Sequence, residues 1–544
     1  MAEIVVRPME VKGQSQEPVR VFCENGVNLL QALLDAGIFV DNACSGKGIC
    51  GKCKVKVLKG SLSETSETEK KVLKEQELAD GIRLSCLAEV TGDVEIALLQ
   101  KERKHKVLTG GYIPEFQKDE HESGYGVAID IGTTTVVTAL IELSTGKEIA
   151  NASMINAQKH FGLDVLTRIT YEYENPKTGV RELQEAIVKS INAMLSEVCQ
   201  EAGVRRRCIR EIDVAANCTM MHMLLGVDAR SIGRAPYKPE FLSARTLPAR
   251  EIGIEAAEDT VLYCLPQVSA YIGADIVAGA YVCEMQKAKG NVLFIDIGTN
   301  GEIVLASKGK LLCCSCAAGP ALEGMNISSG MRATEGAVED VEISEEGITL
   351  KVIGDQTPVG ICGSGILAVL RELLKSGIVK KTGVFVKKDK LAETDYRYPM
   401  IRMNGTKREF ILKEKPELLI TQGDVRQVQL AKGAILSGFT ALCNKAGIQM
   451  EELDRVMIAG QFGAHLPADS LTGTGILPKA VEDKLVYVGN SSKTGAYMTL
   501  MSDRIKREME ELAEQMEYME DHRNLKYMIT AGCPSVYLYI CKYY

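Results

Sequence analysis

At 544 residues, with 46% hydrophobic and 25% charged side chains, the chain is too long for one hydrophobic core. Its composition is that of a set of roughly two to four ordinary globular domains. A formal charge of −8 argues against nucleic acid as a partner, while seventeen cysteines spread along the chain exclude a small disulfide scaffold. They fit a reducing cytoplasm in which some cysteines hold metal and others fill cores.

The chain opens with "MAEIVVRPMEV", which has neither the basic segment nor the apolar stretch of a signal peptide. No apolar run reaches the ~18 residues a membrane span needs, so a cytoplasmic protein without membrane contact is expected. Residues 1–98 read as a small β-rich domain with one helix. "IVVRP" and "VRVFC" suit a strand pair, and "NLLQALLDAG" a helix with Asn28 as N-cap, Gln31 at the third position and Gly37 past the end. "KCKVKVLKG" alternates as a half-buried strand does.

In this domain "VDNACSGKGICGKCKVKVLKG" and "RLSCLAEV" give the spacing Cys44-x5-Cys50-x2-Cys53-x32-Cys86. Four thiolates are the usual complement of an iron–sulfur cluster, and a close triplet with a distant fourth marks 2Fe–2S ferredoxins. Gly46, Gly48 and Gly51 let backbone N–H groups approach the cluster sulfurs without a Cβ in the way. Zinc is the alternative for four cysteines, although its ligands usually come as two close pairs and Cys86 stands alone. The spacing resembles that of adrenodoxin-like 2Fe–2S ferredoxins, which implies a β-grasp fold.

Residues 99–123, "LQKERKHKVLTGGYIPEFQKDEHES", are charged and broken by Gly-Gly and Pro, and read as an exposed linker. Beyond them, apolar strands ending in glycine turns alternate with long helical stretches, an α/β pattern. "VAIDIGTTTVVTALIEL" (127–143) sets Asp130, Gly132, Thr133, Thr134 and Thr135 between two apolar strands. "VLFIDIGTNGEIVLASKGKL" (292–311) repeats the design with Asp296, Gly298, Thr299, Asn300 and Gly301. Such a hairpin can wrap phosphates in backbone N–H groups while its carboxylate holds Mg2+ or orients water. The pair resembles the phosphate loops of the actin, sugar kinase and Hsp70 ATPase superfamily. In that likeness "YIGADIVAGAYV" (271–282) and "GNSSKTGAYMTL" (489–500) are the two connecting helices, whose small residues suit a close, hinged crossing. "VMIAGQFGAHL" (456–466), with Gly460, Gln461 and Gly463, is the adenosine loop.

Other features have plainer readings. Cys313, Cys314 and Cys316 lie on the strand leaving the second hairpin and read as core. His222 and His465 read as structural, and Cys533 with Cys541 are too few for a second cluster of their own. "TQGDVRQVQLAKGAI" opens on a capping box. Ile505, Met509, Leu512, Met516 and Met519 make an amphipathic helical stripe, suited to packing or to a homodimer.

A ferredoxin domain followed by an actin-like ATPase resembles the reductive activators of corrinoid proteins. "INAQKHFGLDVLTRI" (155–169), "AANCTMMHMLLGV" (215–227), "AAGPALEGMNISSGMRA" (317–333) and "GICGSGILAVL" (360–370) extend the likeness to about residues 1–500. It implies a multidomain α/β protein: a β-grasp 2Fe–2S domain at 1–98, a linker at 99–123, a middle region and first actin-like (RNase H-like) lobe at 124–289, and a C-terminal ATPase lobe at 290–544. It also implies ATP with Mg2+, a low-potential electron donor and a corrinoid protein as partner, whose cobalt is returned from Co(II) to Co(I). A plant-type 2Fe–2S centre lies near about −400 mV, and the resemblance puts the cobalt couple lower. A one-electron gap on the order of 200 mV costs roughly 4–5 kcal/mol, which explains why an ATPase would accompany a ferredoxin. The competing readings are a small-molecule kinase with the cluster as redox sensor, and an activator of a radical dehydratase.

Overall fold

The computed structural model describes residues 1–7, 18–36, 38, 40, 48, 51, 53–99, 111–121, 123–298, 300–405, 407–460 and 466–519. Gly37, Cys44, Gly46, Cys50, Thr299, Gln461, Gly463, His465, Cys533 and Cys541 lie outside these, as do 100–110 of the linker. The chain divides into two compact units, Met1–Lys104 with Gln158–Arg168, and His105–Ala157 with Ile169–Tyr544.

In the smaller unit β1 (Ala2–Arg7), β2 (Val19–Cys23), β3 (Lys54–Leu62), β4 (Ile82–Leu84) and β5 (Val90–Leu98) form a sheet in the order β2-β1-β5-β3-β4. Strand alternation buries Ile4, Val6, Val55 and Ile96 in one core with Leu29 and Leu33 of the helix Leu29–Asp35. This is the β-grasp arrangement, and the Asn28 cap is present: Gln31 N–H donates to Asn28 Oδ1 at 3.3 Å. The expectation of a single helix is corrected. Two short helices, Glu67–Val72 and Glu75–Ala79, follow β3. The signal was local, because Ser66 and Glu69 form a capping box. Glu69 is fully buried; it pairs with Arg83 at 3.0 Å and accepts the Leu84 N–H at 2.9 Å. That contact fixes the strand leading into Cys86.

In the larger unit β6 (Tyr125–Ile131), β7 (Thr135–Glu142) and β8 (Lys147–Ile155) make an antiparallel meander. With β9 (Ile209–Ala216), β10 (Arg245–Pro248) and β11 (Val261–Cys264) they form a sheet ordered β10-β11-β9-β6-β7-β8. The meander recurs in β12 (Val292–Ile297), β13 (Gly301–Ser307) and β14 (Lys310–Cys316). Two small sheets follow, one of β15 (Ala337–Ser344), β16 (Gly347–Val352) and β17 (Gly360–Ile361), the other of β18 (Ile401–Asn404), β19 (Lys407–Lys413) and β20 (Leu418–Thr421). Finally β21 (Arg455–Ala459), β22 (Leu485–Gly489) and β23 (Met516–Tyr518) complete the order β22-β21-β12-β13-β14-β23. In both large sheets a meander is extended from its first strand by two parallel strands. The two lobes are therefore RNase H-like repeats, and Asp130 and Asp296 occupy equivalent strand ends.

The connecting helices Ala274–Val282 and Ser491–Met501 pack on one another. A Cβ on Gly495 would lie 2.4 Å from that of Ala278, and one on Gly279 2.9 Å from Ser491 Oγ, so the crossing needs both glycines. Cys313, Cys314 and Cys316 are buried on β14, and Cys314 and Cys316 lie beneath Gly438 of the helix Gln422–Ala446, whose Thr421–Asp424 capping box is formed. His222 is held on both ring nitrogens, by Cys218 O and by the Glu240 N–H, and stacks on Phe241. It is a structural histidine. The C-terminal stripe needs a correction: Ile505, Met509 and Leu512 are buried along the helix Asp503–Gln515, but Met516 begins β23. There the chain turns extended and satisfies the open edge of β14, which a continued helix would leave unpaired. Among the described residues no helix is long and apolar enough to cross a membrane.

Candidate functional site

Two of the four predicted cluster ligands are described, and they are adjacent. Cys53, just before β3, and Cys86, just after β4, are both buried with sulfurs 3.2 Å apart, beyond disulfide bonding distance. Asn28 Nδ2 donates to Cys86 O at 2.9 Å, and the Ser85 N–H to Cys53 O at 2.9 Å, so both backbones are pinned. The hydrogen bond between the thiols pulls Cys53 down to about 6, against the upward push of burial. Gly48 and Gly51 have positive φ, and a Cβ would strike Leu87 at 2.6 Å or Val72 at 2.9 Å. A thiolate-prone Cys53 beside Cys86, with Gly48 and Gly51 where a side chain has no room, suits an iron–sulfur cluster.

The two Asp-Ile-Gly-Thr stretches form hairpins. The Gly132 N–H donates to Thr135 O at 2.9 Å, and Gly298 N–H to Asn300 O at 2.9 Å, closing two tight turns between their strands. Asn156 buttresses the first turn, its N–H on Thr134 O at 3.0 Å and its Nδ2 on Gly132 O at 2.9 Å. Asn217 Nδ2 adds a bond to Thr133 Oγ1 at 3.0 Å. Gly301 starts β13, and Gly460 at φ +90 lies where a Cβ would be 2.6 Å from Asp296 Oδ1. The end of β21 thus comes against Asp296 only because residue 460 has no side chain.

The acids at the two strand ends feel one another. Asp130 Oδ2 accepts from Asn490 Nδ2 at 2.9 Å and Oδ1 from Ser492 Oγ at 2.8 Å, although desolvation still raises its pKa. Desolvation, then the charge of Asp130, pushes Asp296 up to about 7. Desolvation, then Asp296 and Asp130, pushes Asp275 up to about 8. Glu302, the cross-strand partner of Asp296, is raised well above its ordinary value by desolvation and by Asp275 and Asp296. Four half-buried carboxyls with so little positive charge among them form a place that favours a cation.

Asp275, Glu302, Asn490 and Ser492 are absent from the sequence-derived site, although each lies within a stretch quoted there. Glu302 was accessible in principle, since a hairpin turning at 298–300 sets it opposite Asp296. The others are joined to Asp130 only by the helix crossing.

Residues 12–91 match the 2Fe-2S iron-sulfur cluster binding domain, 125–288 the RACo middle region, and 290–531 the C-terminal domain of RACo, the ASKHA domain. The corrinoid activation enzyme RamQ of Eubacterium limosum is 34% identical over 414 residues, 74% of this chain and 68% of that protein. This chain belongs to the RACo family of corrinoid activators. The [Co(II) methylated amine-specific corrinoid protein] reductase of Methanosarcina barkeri is 26% identical over 399 residues, 68% of each chain. A solved structure of a reductive activator for a corrinoid, iron-sulfur protein superposes over 98% of each chain with a TM-score of 0.67 and 30% identity. As a RACo-family chain the protein combines a 2Fe–2S domain with an ATP-binding ASKHA domain.

Proposed function

We propose that this RACo-family protein uses ATP to reduce the cobalt of a corrinoid protein from Co(II) to Co(I), one electron at a time. The observation that carries the reading is the joining, in one chain, of the Cys53–Cys86 thiol pair to a site with Asp130 and Asp296 at equivalent strand ends. A 2Fe–2S cluster on Cys44, Cys50, Cys53 and Cys86 supplies the one-electron chemistry. Asn28 and the Glu69–Arg83 pair hold its ligand strand in place, and Gly48 and Gly51 open the backbone toward it.

Asp130 and Asp296 take Mg2+ and orient the attacking water, with Asp275 and Glu302 adding negative charge behind them. The backbones of 132–135 and 298–301 receive the phosphates, and Gly460 with Gln461 and Gly463 the adenosine. Closure of the lobes across the Gly279–Gly495 crossing links hydrolysis to electron delivery. The physiological setting is a reducing cytoplasm with a low-potential donor.

Anaerobic incubation of Co(II) corrinoid proteins with the reduced protein, with and without ATP, tests the reading. Co(I) absorption that develops only with ATP supports it; equal Co(I) without ATP overturns it.

Proton release accompanies nucleotide binding. Asp296 near 7 and Asp275 near 8 carry protons in the free protein at neutral pH, and a divalent cation needs them ionised. Raised carboxyl pKa values therefore weaken Mg–nucleotide binding at low pH and cease to matter above both values. With two protons to lose, affinity should rise by up to about a hundredfold per pH unit below about pH 7 and about tenfold between about 7 and 8, then level off. Calorimetry in buffers of different ionisation enthalpy measures the protons directly. Flat affinity across that range would remove Asp275 and Asp296 from the cation site.

A further inference from the structure

Residues 99–123 read in sequence as an exposed spacer, yet the described part is laid along the second connecting helix. The Tyr112 N–H donates to Val488 O at 2.9 Å, and Gly111 bridges to Gly489. At the far end the Asp119 N–H donates to Met501 O at 3.0 Å. The Asp119 carboxylate accepts from the Asp503 N–H at 2.7 Å and Ser502 Oγ at 3.3 Å, and His121 Nε2 lies 3.3 Å from Met501 O. Midway, Phe116 meets Tyr497 edge-on at 6.0 Å between centroids, and Lys118 Nζ sits 5.7 Å from the same ring. The segment is a strap, tied at both ends of the helix Ser491–Met501.

Beneath the start of the strap is Asn490. Its side chain donates to Asp130, while a Cβ on Gly111 would fall 2.6 Å from its carbonyl oxygen and 2.5 Å from Thr494 Oγ1. Gly111 is not at positive φ, so this close approach is what calls for glycine there. One residue thus touches the acid of the first phosphate hairpin with its side chain and the strap with its backbone. A cation at Asp130 competes with Asn490 and Ser492 for the same two carboxylate oxygens. Any shift of Asn490 is passed to a strap that has no slack at Gly111.

We propose that Asn490 is a positioning residue through which nucleotide occupancy at Asp130 sets the seating of strap 111–121 on the helix Ser491–Met501. The inference rests on the nucleotide reading of Asp130 given above. Coupling of this kind is reciprocal, and seating the strap must in turn change nucleotide affinity.

Amide hydrogen exchange on the full protein, with and without Mg2+ and a non-hydrolysable ATP analogue, tests this without a corrinoid partner. Exchange in 112–121 should change by about five- to tenfold on nucleotide binding, alongside 130–135. A strap that only adds stability would be protected equally in both states. Gly111→Val should leave 112–121 exchanging fast with or without nucleotide and lower ATP-stimulated cobalt reduction by about fivefold, with the cluster spectrum unchanged. A nucleotide response in 130–135 with none in 112–121 overturns the strap and spares the nucleotide site. Silence in both segments removes the nucleotide reading and this inference together. Should Gly111→Val fail to fold, the exchange experiment on the natural sequence still decides.

Discussion

Asp296→Asn will keep a fully reducible cluster yet leave the corrinoid cobalt as Co(II). Asp296 is the penultimate residue of β12, pairs across the hairpin with Glu302 and abuts Gly460, and in the function proposed above its carboxylate serves the nucleotide. Losing its charge relieves repulsion on Asp275 and Glu302, and the fold should not suffer. ATP turnover, in contrast, should fall on the order of a hundredfold or more, as it does when a preorganised charge is removed from a transferring phosphoryl group. Without that drive a gap of roughly 200 mV leaves cobalt about a thousandfold in favour of Co(II). Asp130→Asn is a less clean variant, because its new amide group would face the Asn490 and Ser492 donors. The measurement is Co(I) absorption under one fixed low-potential reductant, with hydrolysis followed in parallel. Full Co(I) yield from Asp296→Asn would show that ATP is not the driver and would restore the kinase or sensor reading.

What could be read in advance was what is local. An apolar strand, an acid and a Gly/Thr turn occupy one continuous stretch, so both hairpins and the strand ends bearing Asp130 and Asp296 were visible in the sequence. The N-cap at Asn28 and the capping box at Thr421 were visible for the same reason. Asp275 was not, since an acid at the start of a helix is ordinary until the crossing brings it to Asp296 and Asp130. Nor was Asn490, which meets Asp130 across 360 residues of chain. The stripe after Gln515 shows the converse: helical periodicity continues through Met516 and Met519, but the open edge of β14 offers backbone partners and the chain extends. Charge and glycine content marked 99–123 as exposed, and most of 111–121 is, although its backbone is pinned to a helix that sequence pattern alone could not associate with it.

Cys86→Ala will abolish electron transfer while sparing ATP hydrolysis. Cys86 is held by Asn28 through its carbonyl, and its strand by the buried Glu69–Arg83 pair, a scaffold that fixes one thiol beside Cys53. Alanine leaves the scaffold intact and removes a thiolate that nothing nearby among the described residues replaces at that spot. Iron and acid-labile sulfide, expected at about two each per natural chain, should fall together, and the visible cluster absorption with them. Asp130, Asp275, Asp296 and Glu302 all belong to the other compact unit, so nucleotide turnover without a partner should stay within about twofold. Zinc in place of iron in the natural protein would contradict the cluster outright. A variant that retains two irons and full electron transfer would put the fourth ligand elsewhere. Cys23, the remaining described cysteine of that unit, would then be the residue to replace next.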